Sequence, residues 1–177
     1  MRKLLTKTAM LELWRLVRAD EPLRLDCTLT RTDAVDRDSI LEAEMRAWYL
    51  NLLDCAPVEF LAPIDMAIKA EIKTDGCLTI VTAPDQVRRI LGVRFAGWAA
   101  AVAPTDSLAD VKARAGNPFW TEPVVANSSA RSVVVANASG ELVELMCAAD
   151  LSEDAYCFDD RALEKLLPPD FRNGNLY

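Results

Sequence analysis

Five carboxylates and one thiol lie close together near the end of the sequence, and these residue types could do chemistry. Paired carboxylates can transfer protons or hold Mg²⁺ or Ca²⁺ through their oxygens. Their spacing is that of a loop leading into a helix, where acids stabilise exposed amides. The pattern therefore favours solvated and capping roles, and it leaves a carboxylate-based small-ligand or divalent-metal binding protein or enzyme as the alternative function. The stretch comprises Asp150, Glu153, Asp154, Asp159 and Asp160, with Cys157 among them.

Two other groups of charges admit a binding interpretation. Arg88, Arg89 and Arg94 lie near Trp98 and could contact nucleic acid. Arg94 alternates with apolar strand residues, however, which places it on a solvated face, and Asp85 lies near enough in sequence to compensate. A net charge of −7 also argues against a nucleic-acid duplex as partner.

A second acidic run consists of Asp33, Asp36 and Asp38. Three carboxylates in six residues suggest a cation, but the run lacks the glycine and the terminal glutamate of a calcium-binding EF-hand loop. The run therefore predicts turn and cap chemistry.

The sequence contains no histidine, and this absence excludes several classes of enzyme. Histidine is the commonest general acid/base and metal ligand, so Ser-His-Asp and Cys-His catalysis and His-ligated metals are excluded. There is also no phosphate-binding glycine loop and no cysteine pair at metal spacing. The sequence assigns no catalytic, cofactor-binding or metal-ligating residue, and it favours a non-enzymatic protein.

Composition places the chain among ordinary globular proteins of the cytoplasm. About half of its 177 residues are hydrophobic and about a quarter are charged. Five widely spaced cysteines predict free thiols in a reducing compartment. No run of 18 apolar residues and no signal peptide are present, so we expect no membrane association.

The first third of the sequence is predicted to be mainly helical. Apolar residues three and four apart predict a helix over 8–19 capped by Thr8, and alternation over 23–29 predicts a strand or, equally, an extended connector. The pattern Ser39-x-x-Glu42 is a capping box that opens a longer helix over 39–54. Trp48 on this helix is expected to be largely buried, as is Trp98 further along.

Two hairpins dominate the prediction for the middle of the chain. Alternation over 66–82 about Asp75-Gly76 predicts the first, with a type I′ turn, and residues 131–148 predict the second. Between them we expect a helical turn over 84–89, a strand over 90–98, and a short helix capped by Asp106 or Ser107. A last short helix is predicted over 162–167.

Helices followed by hairpins predict an α+β fold in which N-terminal helices pack on an antiparallel sheet of two hairpins plus one strand. We expect a single domain over 1–177. Its parts are a mainly helical region (1–62), the sheet region (63–148), and an acidic loop with a short helix and a tail (149–177).

Phe119 and Trp120 are the candidate interaction residues. They lie in a proline-bracketed segment, where large apolar side chains are hard to bury within one small domain. Packing across a subunit boundary would explain them, and so would packing back over their own sheet. The first alternative predicts self-association through residues 116–125.

Four segments carry a resemblance to known proteins: CAPVEFL (55–61), TDGCLTIVTAPDQVRRILGVRFAGW (74–98), GNPFWTEPVV (116–125) and ELVELMC (141–147). In their order the chain resembles a family of bacterial proteins from phage-derived gene neighbourhoods. It is also similar to the small neck or adaptor proteins that join a phage head to its tail. The resemblance implies a structural or interaction role, with protein subunits as partners and incorporation into a phage-like particle.

Overall fold

A computed structural model describes residues 1–17 and 36–166, and it confirms an α+β fold with antiparallel sheets. Two short 3₁₀ turns, Val58–Phe60 and Ala67–Lys69, lie between the longer elements. In chain order the elements are β1 (Arg2–Thr6), α1 (Lys7–Val17), α2 (Arg37–Cys55), β2 (Ile64–Asp65), β3 (Glu71–Asp75), β4 (Leu78–Thr82), β5 (Val87–Phe95), α3 (Leu108–Arg114), β6 (Val124–Ser129), β7 (Ser132–Ala136), β8 (Leu142–Ala149), β9 (Ala155–Asp159) and α4 (Asp160–Leu166).

The chain forms two compact units. The helical unit contains the described residues of 1–62 and of 151–166, and the sandwich unit is the continuous segment 63–150. The sequence predicts one domain, but its boundary between the helical and sheet regions coincides with the first boundary between the units.

The helical unit packs α1 and α2 with the two-stranded sheet of β1 and β9. These strands pair antiparallel, with Leu4 opposite Cys157. Met10 and Trp14 on α1 are buried, as their spacing predicts. Aromatic rings join the elements: the Trp48 ring lies 5.6 Å from that of Trp14 and 5.9 Å from that of Phe158.

Both helix starts in this unit differ from the prediction. The N-cap of α2 is Asp36, whose side chain accepts a hydrogen bond from the backbone N–H of Asp38. Ser39 donates its hydroxyl to Asp36 and so does not form the expected capping box. At α1 the Thr6 hydroxyl accepts from the N–H of Ala9, so the cap lies two residues before Thr8. Aspartate accepts such bonds as well as serine does, and Thr6 offers the same hydroxyl as Thr8, so sequence spacing alone does not choose between neighbours.

The sandwich unit packs a four-stranded sheet, in the order β3-β4-β7-β6, against a three-stranded sheet in the order β2-β8-β5. Val81 and Val133 from the first sheet share one core with Ile90 and Leu145 from the second. Helix α3 covers the opposite face of the four-stranded sheet, where Val111 packs with neighbouring strand residues. Alternation along the strands thus supplies two apolar faces.

The predicted second hairpin, residues 131–148, is wrong. β7 pairs with β4 and with β6, whereas β8 pairs with β5 and with β2 in the other sheet. Residues 137–140 connect the two sheets, and Asn137 and Gly140 adopt positive φ angles of 54° and 88° there. A turn-like sequence between two alternating segments is compatible with either path, and β7 instead forms its hairpin with β6.

Smaller differences concern boundaries and turns. The segment before β3 forms a 3₁₀ turn where a strand is predicted, and the predicted helical turn over 84–89 is a turn followed by β5. The β3–β4 turn has Gly76 at φ 60° and no positive φ at Cys77. This is the pattern of a type II′ turn and not of type I′. Trp48 and Trp98 are only partly buried. The predicted strand over 23–29 and Asp33 lie outside the described residues.

Candidate interaction site

The loop with the two candidate residues follows α3 directly, and α3 is well anchored. Ser107 caps the helix, accepting a hydrogen bond from the N–H of Asp110 at 3.1 Å. Val111 is fully buried against the sheet. Gly116, at φ 77°, then turns the chain out of the helix, which a residue with a Cβ does at a cost. The loop therefore begins from a fixed point.

Hydrogen bonds of Asn137 hold the start of this loop against the sheet. Its side-chain oxygen accepts from the N–H of Gly116 at 2.8 Å, and its side-chain nitrogen donates to the carbonyl of Arg114 at 2.9 Å. Its own backbone N–H donates to the carbonyl of Cys77 at 2.9 Å. One residue at the end of β7 thus fixes both sides of the helix C-terminus.

Asn117 gives the loop its internal turn. Its side-chain oxygen accepts from the N–H of Phe119 at 3.0 Å, an Asx turn. Its carbonyl accepts from the N–H of Trp120 at 3.2 Å. These bonds set the backbone direction at both aromatic residues without any contact from the Phe119 side chain.

Trp120 points back towards its own sheet. It is partly buried against the apolar cluster that contains Val111 and Val124, and the guanidinium carbon of Arg114 lies 4.0 Å from the ring centroid. This distance is that of a cation–π contact. The indole N–H is buried and has no hydrogen-bond partner within the described part of the chain. Trp120 therefore anchors the loop.

Phe119 points away from the protein, with 92% of its surface exposed. The sequence groups Phe119 with Trp120, and the structure separates them into an exposed residue and an anchor. Burying a phenylalanine side chain stabilises by about 1.5–3 kcal/mol, and this gain is unused here. Sequence reasoning did not find Asn137, because the turn-like Asn137-Ala-Ser-Gly run was assigned to a hairpin.

Two carboxylates of the acidic stretch, Asp159 and Asp160, take up structural roles. Hydrogen bonds from the side chain and backbone N–H of Arg161 hold the pKa of the Asp159 carboxyl well below its usual range, and the amino group of Met1 adds a third bond. Asp160 lies in the first turn of α4. Within residues 1–17 and 36–166, no three His, Cys, Asp or Glu side chains come close enough together to hold a metal ion.

The arginine group is partly neutralised. The Nε of Arg94 lies 2.7 Å from Oε2 of Glu144 on the neighbouring strand β8. Asp85, expected to compensate these arginines, forms an ion pair with Arg131. Arg94 therefore contributes to a cross-strand ion pair, in which Glu144 compensates its charge.

Comparisons with other proteins add no assignment: no protein-family model, no curated protein and no solved structure matches the chain. No helix in the described part of the chain is long and apolar enough to cross a membrane.

Proposed function

We propose that this protein is a non-enzymatic interaction protein that binds another protein subunit through Phe119. The observation that carries the proposal is a phenylalanine that is almost fully exposed on a loop fixed by hydrogen bonds from Asn117 and Asn137. Interface energy concentrates in a few large side chains that enter a pocket of the partner.

The fixed loop supports this proposal because an ordered anchor loses less conformational entropy on binding. Ordering a flexible side chain or loop at an interface costs about 0.5–1.5 kcal/mol for each immobilised side chain. Here the backbone at Phe119 is already held by the Asn117 side chain, and Trp120 is already packed. The proposed site is thus the Phe119 side chain with its supporting turn.

We further propose a place for this protein in a phage-like assembly, as a cytoplasmic component incorporated at the neck of a particle. This part rests on the resemblance of four segments, which include the Phe119 loop. The gene neighbourhood tests it directly: flanking portal, capsid or tail genes are expected, and a metabolic operon would count against it.

Phe119→Ala tests the binding role. We expect it to weaken self-association, measured by light scattering over a concentration series, at least tenfold, as for an interface anchor. Its thermal unfolding should match the wild type within about 0.5 kcal/mol, because the ring has no intramolecular packing to lose.

Leu151→Ala is the matched control, since Leu151 is another exposed apolar side chain, 43% accessible and in the helical unit. It should leave association unchanged. If the wild type stays monomeric at every concentration, or if both variants weaken association equally, the proposed role of Phe119 is wrong.

A further inference from the structure

β3 is an edge strand of the four-stranded sheet, and no described strand pairs with its outer side. All five of its residues are exposed, and Ile72 has 48% of its surface accessible. Ile68, in the turn just before it, is fully exposed. An open edge presents unpaired backbone N–H and C=O groups, which can form hydrogen bonds with another strand.

The register of the β3–β4 hairpin shows which backbone groups face outward. Asp75 and Leu78 flank a two-residue turn, so they form a hydrogen-bonded pair, and such pairs alternate along an antiparallel ladder. Glu71 and Lys73 therefore direct their backbone groups at β4. Ile72 and Thr74 direct theirs at the free edge.

Charges on this edge alternate in sign along the chain: Lys69, Glu71, Lys73 and Asp75. In an antiparallel pair of two copies centred on Ile72, each Glu71 lies opposite Lys73 of the second copy. Both charged residues at the centre of the strand thus meet the opposite charge, and the two Ile72 residues form a hydrogen-bonded pair.

Other registers that satisfy the backbone are less favourable. Pairing centred on Glu71 or on Lys73 places like charges directly opposite each other, which is destabilising. Pairing centred on Thr74 also matches Lys73 with Asp75, but it places Ile72 opposite Gly76 of the turn. A strand edge that avoids association commonly carries charges, especially lysines. Here the alternation of sign favours one self-pairing register.

We propose that β3 pairs antiparallel with β3 of a second copy, about a two-fold axis at Ile72, joining two four-stranded sheets into one continuous sheet. The Ile72 side chains meet on the face that carries Val81 and the main core, since residues opposite each other in a sheet share a face. Such an interface is isologous and closes as a dimer. It deepens the proposed interaction function by naming a second copy as partner.

A single short edge buries little area. Interfaces below about 1,200 Å² are typical of weak, transient complexes, so the dimer should form only at high concentration. Its two symmetry-related Glu71–Lys73 pairs are exposed, and added salt should weaken it.

Charge exchange is the decisive experiment, with sedimentation velocity at high protein concentration as the readout. All variants carry Phe119→Ala, so that association through Phe119 does not contribute. Lys73→Glu then places Glu71 opposite a glutamate, and Glu71→Lys places a lysine opposite Lys73. Each charge variant should dimerise about tenfold more weakly than Phe119→Ala alone, because two attractive pairs become repulsive. An equimolar mixture of the two variants restores both opposite-charge pairs, as does the double exchange in one chain, and both should recover dimerisation.

Cross-linking fixes the register. In a background with Cys27, Cys55 and Cys77 changed to serine, Ile72→Cys should form a disulfide between copies, since hydrogen-bonded pairs lie about 5.5 Å apart at Cα. Thr74→Cys should not, because its copies lie four residue steps apart along the strands. If the equimolar mixture of Lys73→Glu and Glu71→Lys stays monomeric, or if Ile72→Cys and Thr74→Cys cross-link equally, the proposal is wrong. Adding Phe119→Ala should leave the Ile72→Cys cross-link intact. The β3 contact and the Phe119 contact can therefore each be disproved without the other.

Discussion

The Tyr49 hydroxyl forms hydrogen bonds with both backbone groups of one residue in β9. It accepts from the N–H of Cys157 at 3.0 Å and donates to the carbonyl of Cys157 at 3.3 Å. Both residues are buried. Tyr49→Phe keeps the ring, which packs 4.9 Å from that of Tyr156, and removes this bridge.

The loss of stability follows from the two Cys157 backbone groups that the substitution leaves unpaired. Each lost hydrogen bond is worth about 1 kcal/mol net, and buried backbone groups left unpaired cost about 1–3 kcal/mol. We expect Tyr49→Phe to lower the free energy of unfolding of the helical unit by about 2–3 kcal/mol. For a chain of this size that is a fall in melting temperature of about 4–12 °C. Urea unfolding and exchange of the Cys157 amide hydrogen measure the global and the local effect.

Tyr156→Phe is the control. Tyr156 is equally buried, but its hydroxyl takes no part in the bridge to Cys157, so its removal should change stability by no more than about 0.5 kcal/mol. If Tyr49→Phe costs no more than this control, or leaves exchange at the Cys157 amide unchanged, the bridge does not stabilise β9 and the reasoning is wrong.

Two further predictions follow from titrating groups. Because the pKa of Asp159 is depressed in the fold, the unfolded chain takes up its proton first as pH falls below about 4, and stability drops there. Asp159→Asn should reduce the fall of the urea unfolding midpoint in this acid range, and it should lower stability at neutral pH. Burial raises the pKa of the Cys147 thiol to about 12. Iodoacetamide at mildly alkaline pH should therefore alkylate exposed Cys77 in the native protein and reach Cys147 only after unfolding, as mass spectrometry would show.

Local signals in the sequence predicted elements well where one short-range interaction decides the outcome. Ser107 precedes an apolar helical stripe, and it caps α3 as expected. At α2 the same reasoning favoured Ser39, but Asp36 lay three residues earlier and caps the helix, since both residue types accept the bond equally well.

The pairing of strands with one another could not be predicted in the same way. Alternation identifies β7 and β8 as strands, but it does not state which sheet each joins. β1 escaped prediction because its pattern of two basic residues, two leucines and a threonine gains strand structure only from pairing with β9. The side chains that hold the Phe119 loop in place, Asn137 and Trp120, acquire their roles from contacts with the sheet, which no local spacing encodes.

In the sequence the sandwich unit is inserted between the two parts of the helical unit, and this order has a consequence for synthesis on the ribosome. β1 can pair only after β9 has been synthesised, because Arg2 lies opposite Asp159. Every strand of the sandwich unit, in contrast, lies within 63–150. The sandwich unit also has neighbouring ends, because Ile64 lies opposite Cys147. It can therefore fold while the last part of the chain is still emerging. α1 and α2 must remain without their β9 packing surface until then, and during that interval they present apolar faces that a chaperone would bind.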